Sequence, residues 1–358
     1  MIPFTRTDGG GSGRQRPGPS LPLQEQADAL RISVVIPTYR RPDLLCRCLS
    51  AVFAQRLERG AFEVIVVDDG HTADTQAVVE AFQMQPDAPS LRLIRPRRGR
   101  GPAVARNAGW RAAYGKVIAF TDDDTVPDPD WLANGERALV PGLVALCGRV
   151  AVPPARPRRD DAPYRPTDHE LMTRGLESAE FVTANAFVRR SALLTVGGFD
   201  ERFQRAWRED SDLQFRLMRD AGPVGRSEAP VVLHPVRPER WGVCLRQQKN
   251  VFFDALLYKK HPRLYRERIL PSPPWAYYGI VALTLAAPPL WAAGIGGSAV
   301  VSLLLALGGV LRLAGRRLRH TARTPEHVVE MVLTSALIPF LSVYWRLRGA
   351  IHFRVLFL

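Results

Sequence analysis

The chain has 358 residues, 46% of them hydrophobic and 23% charged, with 49 Lys and Arg against 35 Asp and Glu for a formal net charge of +14. That balance excludes a disordered or low-complexity chain and allows one large domain with an appendage, or two medium ones. The positive excess asks for an anionic partner, whether a membrane surface, a phosphorylated substrate or nucleic acid, and charge alone does not choose among these.

The first twenty residues, "MIPFTRTDGGGSGRQRPGPS", hold no apolar core of a secretory signal, so residues 1–30 are expected to be a flexible tail that begins in the cytosol. Cys46, Cys48, Cys147 and Cys244 show no zinc-type spacing, and reduced thiols are expected.

Order should begin near Arg31 with "ISVVIPTY", a β-branched run ending in Pro37, Thr38 and Tyr39. "RPDLLCRCLSAVFAQ" carries apolar residues at helical spacing, and "FEVIVVDDG" is a second buried strand. Residues 73–83 read as a helix and "LRLIRP" as a strand. "GPAVARNAGWRAAYG" reads as a helix between Gly101 and Gly115, and "KVIAFTDDD" as another strand. Alternation of this kind implies an α/β fold with right-handed βαβ units and a mostly parallel sheet. Ligands of such sheets bind outside the carboxyl ends of the strands, so the acids of "VVDDG" and "TDDD" should face one crevice.

From about 140 to 235 short strands are expected in "LVALCGRVAV", "FVTANAFVRR" and "PVVLHPV", and a helix in "REDSDLQFRLMRDAG". "PPARPRRDDAPYRP" reads as a polar, mobile loop. No charged residue occurs from Ile269 through Leu311. One helix over 275–311 would run roughly 55 Å, too long for a ~30 Å hydrocarbon core. A hairpin of two short membrane helices, about 275–293 and 297–311, is expected instead, broken at Pro288-Pro289 and at Gly294, Gly296 and Gly297, with a re-entrant or interfacial hairpin as the alternative at this length. A basic loop, 312–324, brings Arg312, Arg316, Arg317, Arg319 and Arg323, which favour the cytosolic side. The last apolar stretch, about 326–345, is followed by further arginines, and an amphipathic helix on the inner leaflet is preferred to a third crossing. The domains are then a tail (1–30), a catalytic domain (31–268) and a membrane-associated helical region (269–358).

The pieces "VVIPTYRR", "VIVVDDG", "GPAVARNAG", "AFTDDD", "GGFDE" and "WREDSDLQFR", in this order, resemble the family 2 glycosyltransferases, whose catalytic domain has the GT-A fold. The resemblance covers residues 31–260 and implies transfer of a sugar from a nucleotide-diphosphate donor to a hydroxyl acceptor. Asp122 and Asp124 form a D-x-D whose oxygens suit Mg²⁺ or Mn²⁺ shared with substrate phosphates. Alternate side chains of an extended segment point the same way, so Asp122 and Asp124 can share a site while Asp123 points elsewhere. An EF-hand type calcium loop fails, because Val126 and Pro127 stand where an acid and a glycine are needed.

The resemblance assigns Asp122 and Asp123 to the nucleotide side and Asp122 and Asp124 to the metal. It gives a nucleobase contact to Asp68 or Asp69, and nucleotide contacts to Pro37, Thr38, Tyr39, Arg106 and Asn107. Arg40 or Arg41 is in reach of a phosphate, and Gly99 and Gly101 allow close backbone approach. Asp210, with Glu209 beside it, is implied as the general base, while Glu209 and Asp212 would also suit helix capping. A single base without a carboxylate nucleophile fits inversion. Asn185, Asp200 and Trp241 are expected on the acceptor side. The chain departs from the family at His71, where Ser is usual, and at Arg237 of "RPERW", where processive members carry Gln. A single-addition enzyme is therefore expected.

The anchor and arginines point to a lipid or lipid-linked glycan acceptor and a catalytic domain on the cytosolic face of the inner membrane, in contact with membrane lipids. A nucleotidyltransferase lacks its Gly-rich, Lys-containing loop here. Nucleic acid is not an expected partner, because the basic residues form no aromatic-interleaved stripe.

Overall fold

The computed structural model describes residues 30–97, 101–155 and 164–358. The expected N-terminal tail, Gly99 and most of the Pro-rich loop lie outside those residues. The first half alternates as β1 (Ile32–Thr38), α1 (Pro42–Phe53), β2 (Phe62–Asp68), α2 (Ala73–Gln83), β3 (Ser90–Ile94), α3 (Pro102–Arg111) and β4 (Val117–Thr121). Then follow β5 (Val126–Pro127), α4 (Trp131–Ala138), β6 (Ala145–Ala151), α5 (Asp168–Ser178), β7 (Asn185–Arg189), α6 (Arg190–Val196), α7 (Glu209–Asp220) and β8 (Val224–Leu233). The C-terminal part is helical: α8 (Val243–Gln247), α9 (Val251–Lys260), α10 (Pro262–Arg268), α11 (Trp275–Ala292), α12 (Gly296–Leu318) and α13 (Pro325–Phe353).

One sheet takes the order β3-β2-β1-β4-β7-β6-β8-β5. β1 pairs in parallel with β2 and β4, β2 with β3, and β6 with β8. β7 runs antiparallel between β4 and β6, and β5 antiparallel on β8. The sheet is therefore mixed, though only β5 and β7 oppose the common direction. The reversal has a local cause: the chain reaches β7 at the end where β4 stops, with Asn185 in register with Thr121. β2 and β4 are buried throughout, the mark of central strands covered on both faces. α3 lies close on the sheet because Gly109 has no side chain, and a Cβ there would stand 2.4 Å from Val35.

The C-terminal helices differ from expectation in three ways. α11 continues through Pro288 and Pro289, and the chain turns at Gly294, whose φ of +76° a glycine adopts without strain. Much of the expected basic loop is helix, since α12 runs on to Leu318. The last helix is also longer than the apolar stretch, at 29 residues. Phe353, Val355 and Phe357 pack with Phe203, Phe215, Phe253 and Tyr265, so the chain end shares a core with the catalytic part.

Candidate active site

The carboxyl ends of β1, β2 and β4 and the first turns of α3 and α7 open onto a cleft of about 720 Å³. Pro37, Thr38, Tyr39 and Arg41 line it from β1, and Asp69 from β2. Arg106 comes from α3, Asp122, Asp123 and Asp124 follow β4, and Glu209 and Asp210 open α7. His234 and Arg237, beyond β8, close the far wall.

β4 ends where the Thr121 and Thr125 hydroxyls bond at 2.6 Å and the Thr125 N–H returns to the Asp122 carbonyl at 3.2 Å. The three aspartates thus sit in a turn, so the strand alternation that would pair Asp122 with Asp124 does not operate. Each lies against a cation, with Arg41 near both Asp123 and Asp124. Asp122 accepts from Arg106 Nη2 at 2.7 Å, while Arg106 Nη1 donates to Glu209 at 2.9 Å. Asp123 accepts from Thr38 Oγ1 at 2.8 Å and from Arg41 Nη1 at 3.2 Å. Asp124 has Arg237 Nε at 3.2 Å and His234 Nε2 at 3.5 Å, and accepts no hydrogen bond among the described residues although it is buried.

Burial sets the protonation of this cluster. It pushes Asp123 up to about 6, helped by the Asp124 charge and opposed by Arg41 and Thr38. Burial also raises Glu209, with the neighbouring Asp210 charge adding to it and Arg106 opposing. Asp210 is raised by burial against the Ser211 N–H and Arg106. Burial works against the charge of Arg106, yet Asp122 and Glu209 outweigh it and keep the guanidinium ionised.

α7 starts without a side-chain cap, after Arg208 at φ +74°. The capping role expected of Glu209 and Asp212 is therefore not seen. Glu209 goes to Arg106, leaving its second oxygen buried and unpartnered. Asp212 is taken by Lys260, His261 and Arg216. Among the described residues Asp210 accepts only the Ser211 N–H, at 2.7 Å.

Several expected contacts lie away from the cleft. Asp68 is fully buried and accepts the N–H groups of Gly70, His71 and Thr72, each at 2.9 Å, so it builds the turn that presents Asp69. Asp69 accepts the Gly101 N–H at 2.8 Å, which ties the start of α3 to β2. Asn107 faces the protein, bonded to Phe199, Glu201 and Trp110. Asn185 is core, holding the Trp131 indole N–H and the Arg149 and Pro230 carbonyls. Asp200 is engaged by Arg202 and Lys260. Trp241 is 55% exposed and lines a second cavity of about 420 Å³, against α13, which shares Arg237 with the cleft. His71 borders a recess of about 430 Å³ with Tyr39, Arg40 and Asp69. His234 was not singled out in the sequence, and its only signal there is a position just past an apolar strand.

A mixed sheet with an acidic turn and a crevice at its carboxyl edge is the architecture of the GT-A fold. The family described as Glycosyl transferase family 2 matches residues 33–197, and Glycosyl transferase family group 2 matches residues 117–347. The chain belongs to this family and is a glycosyltransferase. It is 26% identical over 258 residues to glycosyltransferase AglE of Haloferax volcanii, covering 70% of this chain and 81% of that protein. It is 28% identical over 275 residues to the validoxylamine A glucosyltransferase of Streptomyces hygroscopicus subsp. jinggangensis, covering 66% and 62%. The solved mannosyltransferase PcManGT of Pyrobaculum calidifontis, in complex with GDP-Man and Mn²⁺, shares the fold at a TM-score of 0.53 and 18% identity, over 89% of this chain and 86% of that one.

Proposed function

We propose that the enzyme moves a sugar from a nucleoside-diphosphate donor to a hydroxyl of a lipid or lipid-linked glycan, by metal-dependent single displacement with inversion. The observation that carries this reading is the convergence of the three aspartates, the Glu209–Asp210 pair and the β1 end in one cleft. Tyr39 and Asp69 then face the nucleoside, and Thr38, Arg41 and Asp123 form the wall beside it.

Asp124 is buried, accepts no hydrogen bond among the described residues and stands beside Arg41, His234 and Arg237, while Asp122 is turned to Arg106. Carboxylate oxygens at the mouth of the cleft are of the hard type that a divalent cation takes, and Asp124, with Asp122 once it leaves Arg106, would hold it. No cluster of three or more His, Cys, Asp or Glu forms a full ligand set among the described residues. Phosphate oxygens and water would supply the remaining ligands, as is usual for Mg²⁺. When bound, the ion neutralises the departing diphosphate.

Asp210 accepts the proton of the attacking acceptor hydroxyl. Its raised affinity for that proton makes it a better base than a solvated aspartate. Arg106 holds Glu209 and Asp122 on either side of the reacting centre. The exposed apolar side chains of α11 and α12, with Arg312, Arg316, Arg319 and Arg323, favour a cytosolic membrane face and an acceptor delivered from it.

The test is incubation of the enzyme in native membranes with labelled nucleotide sugars and Mn²⁺. Label passing into the lipid extract, with nucleoside diphosphate released and both lost in EDTA, is the expected result. Release of pyrophosphate would contradict sugar transfer in favour of nucleotidyl transfer, and transfer unaffected by EDTA would remove the metal.

A further inference from the structure

We infer that α13 lies flat on the bilayer surface, between anionic lipid and the catalytic domain, and does not cross the membrane. This rests on the membrane reading above. By length and composition α13 qualifies as a crossing helix, as α12 does. Its attachments argue otherwise. Just before it, Arg317 pairs with Asp168 at 2.8 Å and the Ala322 N–H bonds the Pro166 carbonyl at 2.8 Å. Near its start Glu330 accepts the Gly242 N–H at 2.7 Å. Near its end Gly349 lies so close to α9 that a Cβ would stand 2.5 Å from the Phe252 carbonyl, and Lys259 donates to the Phe353 carbonyl at 2.8 Å. From Glu330 to Phe353 the helix rises roughly 35 Å at ~1.5 Å per residue. That exceeds a ~30 Å hydrocarbon core, so a crossing would carry one set of attachments to the far side.

The outer face of α13 is more apolar than a water-facing helix carries, and its inner face is mixed. The buried side sets His327, Thr334, Ser335, Ser342 and Arg346 among Met331, Ile338, Pro339, Val343 and Gly349. Its exposed side is a stripe of Val329, Leu333, Leu337, Tyr344, Leu347 and Ile351, spaced three or four apart except across Phe340. A stripe of this length facing water is unfavourable at about 25 cal/mol per Å², and lipid relieves it. Crossing would instead carry the buried Arg346, and Arg317 with the Thr334 and Ser335 it donates to, to membrane depth, where charged groups are costly. The occupant is a bilayer with anionic headgroups, because exposed Arg312, Arg316, Arg319 and Arg323 stand before the helix and Arg348 and Arg354 at its end.

The experiment uses the full chain in sealed membrane vesicles of both orientations, with the exposed Cys46 replaced by Ser. Arg323→Cys and Leu356→Cys, both at exposed positions flanking α13, are treated with a membrane-impermeant maleimide. Both should react in inside-out vesicles and neither in right-side-out ones. Reaction from opposite sides would overturn the flat placement and leave the membrane reading standing. Recovery of the protein in the soluble fraction would overturn both. Spin labels at Leu333, Leu337 and Leu347 give a second readout: equal depths support the inference, and depths that increase along the helix refute it.

Discussion

Asp210 stands out among the acids of the cleft because its carboxylate is so lightly used. Asp123 and Glu209 are held by Thr38, Arg41 and Arg106, whereas Asp210 accepts one backbone N–H. Asp210→Asn should therefore leave donor binding intact and lower transfer by about 10²–10⁴-fold, a comparison that calorimetry and single-turnover assays make directly. The pH dependence follows from the same environment. Protonation disables a base, so the rate falls as pH falls. Because burial raises both Asp210 and Glu209, that acid limb should lie above the ordinary aspartate value of 3.8. Arg106→Met removes the charge that opposes the shift, so it should move the limb of kcat/KM further up. It should also cost about 3–5 kcal/mol in denaturant unfolding, since Glu209 loses its buried partner. At this scale the sequence showed which acids gather, because D-x-D and E-D mark strand and helix ends. It did not show the Arg106–Glu209 bridge, which joins residues 103 apart, or the turn after Thr121 that redirects Asp122 from Asp124.

Among the elements, the first half of the chain was the readable part. The apolar runs of β1, β2 and β4 and the spacing in α1 give strand and helix from local pattern. β7 was harder, since its reversed direction depends on where the chain arrives and not on its composition. Asn185 shows the consequence. A polar residue in "TANAF" reads as a sugar contact, yet it ties Trp131 of α4 to the Arg149 and Pro230 carbonyls. Asn185→Ala leaves that indole N–H and both carbonyls unsatisfied. It should cost at least about 2 kcal/mol, read as a lower denaturation midpoint, with unchanged donor affinity in the folded protein. A loss of acceptor affinity without loss of stability would return Asn185 to the acceptor side.

At the scale of the molecule, sequence separates a cytosolic-type α/β half from an apolar end, but packing does not divide them at residue 268. The core around Phe253, Tyr265 and Phe357 joins α7, α9 and the chain end, and α13 forms one wall of the cavity that reaches Arg237 and the cleft. Such contacts join distant residues and leave no local trace. They mean that truncation before α13 should unfold part of the catalytic half while α11 and α12 keep the shortened chain on the membrane, which limited proteolysis of the shortened chain would reveal. The central claim is that the acidic turn after β4 belongs to the nucleotide-sugar site. The most direct measurement is thermal stabilisation of the detergent-solubilised enzyme by a panel of nucleoside diphosphates, with and without Mn²⁺. The account predicts a metal-dependent rise in Tm for a particular nucleotide, absent in Asp124→Ala. A rise that survives Asp124→Ala and metal removal, or none with any nucleotide, would contradict it.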